Sequence, residues 1–272
     1  MTYKAILTHI VADRGCAARL RMAQSVARVL SAEVIGLGAQ APWPFSDARD
    51  GRGREFEQLL RNARDDVASA QRAFQEAFAG SDITGSWREE IAYPNEVLAR
   101  QARVADLVLA YRTTGGAVAS AYAAPDSLVM EAGLPVLLMP AKEMDFKADS
   151  ILLAWKNTRE ARRTISVTLP LLARASRVLV AAVCGSGEIQ TVERELTDVG
   201  HRLARHGVKA TTLAEVDAPG SAGRKLLRIA DTDGSDLVIA GGYGHSKLRE
   251  WVMGGVSRDL IADGRRYVLL NH

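Results

Sequence analysis

The run Asp106-Leu107-Val108-Leu109-Ala110 returns 130 residues later as Asp236-Leu237-Val238-Ile239-Ala240, and the same offset pairs Ser127 with Ser257. An echo of that length in a chain of 272 residues reads as two copies of one unit, each of about 130–140 residues. Whatever one copy folds into, the other must fold into as well. The fold class therefore has to be found twice, and the differences between the copies carry the information about function.

Apolar runs alternate with amphipathic stretches through both copies. In the first, residues 5–10, 34–37, 84–93, 106–110 and 135–139 read as strands, and 16–30, 55–78, 94–102 and 127–132 as helices. In the second, 150–155, 178–183, 208–216, 236–240 and 267–270 read as strands and 160–173, 189–205 and 222–230 as helices, with a further helix opening at Val256. Near-continuous apolar strands are those of a parallel sheet covered on both faces, and their alternation with helices predicts a doubly wound α/β sheet. Leu20, Ala23, Ala27 and Leu30 form one core-facing stripe, Val192, Leu196, Val199 and Leu203 another. Phe56, Leu59, Ala63, Val67, Ala70, Phe74 and Phe78 form a third and are assigned to the core. The copies are bounded as residues 1–141 and 149–272, with a charged connector at 142–147. Residues 38–53, rich in proline and glycine, are expected to be irregular; a lid over a site and a surface loop that packs Trp43 and Phe45 both remain open.

The sharpest local feature lies between the strand at 236–240 and the helix that opens at Val256. Gly241, Gly242, Gly244, Gly254 and Gly255 stand there, and glycines between a strand's carboxyl end and a helix's amino end offer unhindered backbone N–H groups to an anion, usually phosphate. His245 and Lys247 add positive charge to such a site or belong to a solvated turn, the reading preferred for Arg249. Ser257 caps the helix, touches phosphate, or is an ordinary serine early in it. At an offset of 130, Gly241, Gly244, Gly254 and Gly255 correspond to Tyr111, Thr114, Ala124 and Pro125, with Gly115 and Gly116 out of register. The first copy is expected to hold no phosphate.

The spacing Gly241-x-x-Gly244-x9-Gly254 resembles the G-x-x-G-x9-G-(S/T) nucleotide loop of the universal stress protein family, and the residues around it, including His245 and Ser257, are similar to that family too. The resemblance covers nearly the whole chain. It implies two tandem Rossmann-like, adenine-nucleotide-hydrolase-like domains, each a mostly parallel five-stranded sheet with helices on both faces. It further implies a stress-response protein that binds an adenine nucleotide (ATP, ADP or AMP) through Gly241, Gly244, Gly254 and Gly255, with His245, Lys247, Ser257 and Lys156 beside it. The two copies would pair as a pseudo-dimer within the chain, and a homodimer of chains stays open. Two residues depart from the family's pattern. Gly255 lacks the hydroxyl that ends the motif, and Lys156 stands where nucleotide-binding members carry an acidic residue, so Mg²⁺ is left open. The alternative is an interaction or scaffold module whose sites are both vestigial.

Composition narrows the partners. Residues 141–272 hold 20 Lys/Arg against 16 Asp/Glu, a surplus that suits an anionic small ligand but not nucleic acid. No apolar run approaches the ~20 residues of a membrane helix, and a cytoplasmic protein is expected. Cys16 and Cys184 are too few for a disulfide framework or a zinc site. No Walker A, H-E-x-x-H or G-x-S-x-G motif occurs, Gly185-Ser186-Gly187 lacks the third glycine of a dinucleotide loop, and the histidines are dispersed; a binding protein is expected, not an enzyme.

Overall fold

The computed structural model describes residues 2–42, 53–112, 122–218, 220–242 and 255–272. The first half contains β1 (Ala5–His9), α1 (Cys16–Leu30), β2 (Glu33–Ala39), α2 (Gly53–Phe78), β3 (Gly85–Glu90), α3 (Pro94–Gln101), β4 (Leu107–Ala110), α4 (Pro125–Glu131) and β5 (Val136–Leu138). The second repeats the order with β6 (Ser150–Ala154), α5 (Arg159–Arg174), β7 (Arg177–Cys184), α6 (Ile189–Ala204), β8 (Ala210–Val216), α7 (Ala222–Asp233), β9 (Leu237–Gly241), α8 (Gly255–Ala262) and β10 (Tyr267–Asn271).

The strands form one ten-stranded sheet in the order β3-β2-β1-β4-β5-β10-β9-β6-β7-β8. Each half has the same strand order, read outward from the seam. All pairings inside a half are parallel, whereas β5 and β10 pair antiparallel, Leu137 opposite Leu269. The two five-stranded sheets are thus edges to one another, and pairing them removes two exposed edges at once.

Strand side chains alternate between two apolar layers. Ile6, Val34, Leu107, Ile151, Val178 and Leu237 face α1, α2, α5 and α6, whereas Leu7, Ile35, Val108, Leu152, Leu179 and Val238 face α3, α4, α7 and α8. The echo that opened the sequence is visible in the hydrogen bonds. Asp106 Oδ2 accepts from the backbone N–H groups of Lys4 (2.7 Å) and Ala5 (3.1 Å), and Asp236 Oδ2 from those of Asp149 (3.0 Å) and Ser150 (3.3 Å). Each aspartate ties the strand it precedes to the start of its copy's first strand. The register also holds beyond the strands, since α4 starts at Pro125 and α8 at Gly255.

Some boundaries differ from expectation. Gly38 and Ala39 are strand, because β3 continues the ladder through Gly38↔Glu89 and Ala39↔Glu90. Trp87 and Val67 leave no room for a Cβ at Gly38, so this glycine serves packing, not a turn. Gly53 opens α2, while residues 43–52, with Trp43 and Phe45, lie outside the described residues. β3 ends at Glu90, where its partner strand β2 ends at Ala39. β8 begins at Ala210, since the Val208 N–H bonds Leu203 O and closes the preceding helix instead. Phe56 is 42% exposed and is not core.

Candidate functional site

In the second half the carboxyl ends of β6 and β9 meet the amino end of α5. Thr158 is the N-cap of that helix, and its Oγ1 accepts from the Ala161 N–H at 3.2 Å. The helix start lies directly on Gly241, where a Cβ would come within 2.7 Å of Ala161 N and 3.0 Å of the Glu160 carbonyl carbon. Gly241 is therefore required by close packing, and its φ is not in the left-handed region. Gly242 donates its N–H to Asn271 O at 2.8 Å, and a Cβ there would meet Val129 Cγ1 of the first half at 2.8 Å. At Gly255, the first residue of α8, the nearest atom to a Cβ would be Gly220 O at 4.0 Å. Nothing described in the protein itself asks for a glycine there.

Ser257 is the third residue of α8 and buried, too far into the helix to be its cap. Lys156 is exposed in the turn after β6. Gly244, His245, Lys247 and Gly254, and with them Arg249, lie outside the described residues. The structure thus brings together Gly241, Gly242 and the α5 amino end, with Lys156 in the turn that leads into that helix.

A carboxylate missed in the sequence sits at the same end. Glu160, in the first turn of α5, is buried and bonded to Arg159 Nε at 2.5 Å. Burial works to raise its pKa, but hydrogen bonds from Arg159, its own backbone N–H and Thr158 hold the carboxyl below the usual range. It remains charged at neutral pH. The sequence offered only Lys156 at this turn, and a charged residue second in a helix gives no hint of burial.

The equivalent end of the first half is filled by its own side chains. Tyr111, in register with Gly241, places its ring beneath the Arg19 guanidinium, 4.3 Å from the centroid, and meets Tyr122 edge-on at 5.2 Å. Arg19 Nη2 also bonds Val11 O at 2.8 Å and Asp13 Oδ1 at 2.5 Å, and the Tyr122 hydroxyl donates to Asp13 Oδ2. Burial pushes the Tyr122 phenol up to about 12, with Asp13 adding to the shift, so both tyrosines stay neutral. Below this cluster the His9 Nε2 lies 2.9 Å from Ala39 O, while His9 Nδ1 and the Tyr111 hydroxyl are buried without a partner among the described residues. Both residues line a cavity of about 10 Å³, the room of one water.

Among the described residues no group of three or more His, Cys, Asp or Glu is placed to hold a metal, and no helix is long and apolar enough to cross a membrane. Cys16 is buried at the start of α1 and Cys184 half-buried at the end of β7.

The chain matches no protein-family profile. It is 24% identical over 83 residues to a universal stress protein of Methanocaldococcus jannaschii, a match covering 30% of this chain and 45% of that relative, so less than half the relative's length is spanned. Solved structures extend the likeness to the whole chain. A universal stress protein from Archaeoglobus fulgidus superposes with a TM-score of 0.70 over 98% of this chain and 97% of its own, at 13% identity. A Pseudomonas aeruginosa protein of unknown function superposes with a TM-score of 0.61 over 99% and 92%, at 16% identity. The class defined by the fold is a mostly parallel α/β sheet of doubled, Rossmann-like architecture. Over its full length that is the fold of a solved universal stress protein.

Proposed function

We propose that residues 1–141 and 149–272 are two copies of a universal-stress-protein domain, paired through β5 and β10 as a pseudo-dimer, and that the second copy alone binds an adenine nucleotide in a stress-response, regulatory role. The observation that carries this reading is the contrast at one register position. Gly241 leaves the carboxyl end of β9 open to the amino end of α5, whereas Tyr111, Arg19, Asp13 and Tyr122 fill that end of the first half. Ligands of open α/β sheets bind in the crevice outside the carboxyl ends of the strands, and helix amino ends favour anions. The glycine spacing and the basic surplus of the second half support phosphate there. Lys156, and Glu160 in its pair with Arg159, stand at the end of β6, so a metal ion between Glu160 and phosphate, or Lys156 on phosphate, are the two routes open to the ligand.

Calorimetric titration with ATP, with and without Mg²⁺, tests the reading. Saturable one-to-one binding that a Gly244→Val substitution abolishes supports it. Absence of saturation at millimolar ATP, in protein shown to be free of carried-over nucleotide, leaves the chain as an interaction module with two vestigial sites.

A further inference from the structure

Arg112 directly follows Tyr111, and its side chain reaches across the seam into the second half. Its Nε donates to Ile261 O at 2.6 Å, its Nη2 to Leu260 O at 3.4 Å and its Nη1 to Met139 O. Leu260 and Ile261 are in the last turn of α8, where the final carbonyls have no partner within the helix and the helix dipole favours a cation. Met139 follows β5, the seam strand. One guanidinium therefore bonds to the seam of the first half and to the carboxyl end of a helix in the second.

The residue's surroundings make it more than an ordinary cap. Burial lowers the Arg112 pKa to about 10, opposed by attraction to Asp263, and among the described residues the guanidinium donates its hydrogen bonds to carbonyls. A half-buried cation that serves backbone oxygens loses hydration for positional order more than for charge pairing. The arrangement is also one-sided. Gly242 occupies the matching register position in the second half and brings no side chain, only a close contact with Val129 on α4.

α8 has eight residues, too short to be stable on its propensity alone. Its opening residue, Gly255, closes the glycine loop, so what fixes its far end fixes the angle at which its amino end meets a ligand. We propose that Arg112 is a positioning residue: the first half, having lost its own glycine loop, uses the same segment to set α8 for the site of the second. This rests on the reading above in taking the amino end of α8 as part of the nucleotide site.

The test compares full-length wild type, Arg112→Met and Arg112→Lys by hydrogen–deuterium exchange and by ATP titration, with circular dichroism to verify folding. In Arg112→Met, exchange across α8 is expected to rise about tenfold relative to α7 and β10, and ATP affinity to fall about five- to tenfold. Lysine, which keeps the charge but not the fork, should restore part of both. Unchanged exchange in α8 overturns the proposal, as does an Arg112→Met protein that exchanges faster in α8 yet binds ATP as tightly as wild type. Should Arg112→Met fail to fold, Arg112→Lys decides: wild-type exchange and wild-type affinity together overturn the proposal. If the wild type binds no ATP the functional reading fails on its own, and exchange at the first turn of α8 still decides whether Arg112 positions it.

Discussion

The Arg19 guanidinium carbon lies 4.3 Å from the centroid of the Tyr111 ring, over the end of β4 where the matching end of β9 carries Gly241. The two halves solve one packing problem in two ways. With glycine, the backbone at the start of α5 closes on the strand; with tyrosine, an aromatic ring fills the space and an arginine from α1 covers it. A ring so placed should behave as core. Tyr111→Ala is expected to destabilise by about 2–3 kcal/mol, less than truncation of a fully buried aromatic because the ring is half-buried. Tyr111→Phe removes only a hydroxyl that has no partner among the described residues and should change stability by less than about 0.5 kcal/mol. Denaturant midpoints of the two variants measure both values, and a loss above about 1 kcal/mol for phenylalanine would mean that the hydroxyl is hydrogen-bonded through water.

Gly241 and Gly255 belong to one motif but answer to different forces. A methyl group at Gly241 would strike the backbone of Ala161, which cannot move without shifting α5, so Gly241→Ala should destabilise by about 1–3 kcal/mol whether or not nucleotide is present. Among the described residues the nearest atom to a Cβ at Gly255 is Gly220 O at 4.0 Å, and Gly255→Ser should leave the melting temperature of the free protein unchanged. Serine there restores a hydroxyl at the first position of α8. If the loop takes phosphate, ATP affinity should rise about fivefold, the worth of a hydrogen bond of about 1 kcal/mol. Equal affinity of Gly255→Ser and wild type would place the phosphate elsewhere.

Asp106 and Asp236 give a matched pair for testing the repeat itself. Each accepts two backbone N–H groups at the start of the neighbouring strand, so alanine at either position should cost about 1–3 kcal/mol. Asparagine should be better tolerated at 236 than at 106. Burial raises the pKa of Asp236, and its Oδ1 has no hydrogen bond, so losing that charge relieves part of a desolvation cost. Chemical denaturation of the four variants checks the ranking.

Most of the fold was legible because its elements have strong periods. The apolar spacing of α1 marked both of its ends, Cys16 and Leu30. The 130-residue echo anticipated the positions of β4 and β9 and of α4 and α8. Phe56 misled because periodicity records a stripe but not how far the covered surface extends. α2 has 26 residues, about 39 Å at 1.5 Å per residue, while β2 has 7 and spans about 23 Å, so the first turns of the helix overhang the sheet. The union of the sheets across β5 and β10 left only a weak trace, since an edge strand and a central strand of a parallel sheet share the same apolar composition. At the site, the register exposed the missing glycines of the first half. It could not show that Tyr111 and Arg112 take opposite courses, one into its own half and one across the seam, because neighbours in sequence carry no record of what their side chains meet.

His9 links the filled site to pH. Its Nε2 faces Ala39 O, which requires the proton on that nitrogen and leaves Nδ1 as a bare acceptor in a neutral ring. Burial lowers its pKa to about 4, with Arg19 adding to the shift and the Ala39 hydrogen bond opposing it. In the unfolded chain the ring titrates near its ordinary value of about 6.5. Between these values the unfolded state binds more protons than the folded one, so stability rises with pH across this window and is lost as pH falls from about 6.5 to about 4. The contribution is about 3 kcal/mol at full loss, from the size of the shift. The other facing groups, Asp13, Tyr111 and Tyr122, keep one charge state through that range: Asp13 is held below its usual value by Arg19 and Tyr122 despite burial, and both phenols are raised. His9→Gln, which keeps a donor for Ala39 O, should therefore flatten the pH dependence of unfolding between pH 4 and 6.5 relative to wild type. Urea midpoints measured at half-unit intervals decide it, and parallel curves for the two proteins would assign the acid sensitivity to other groups.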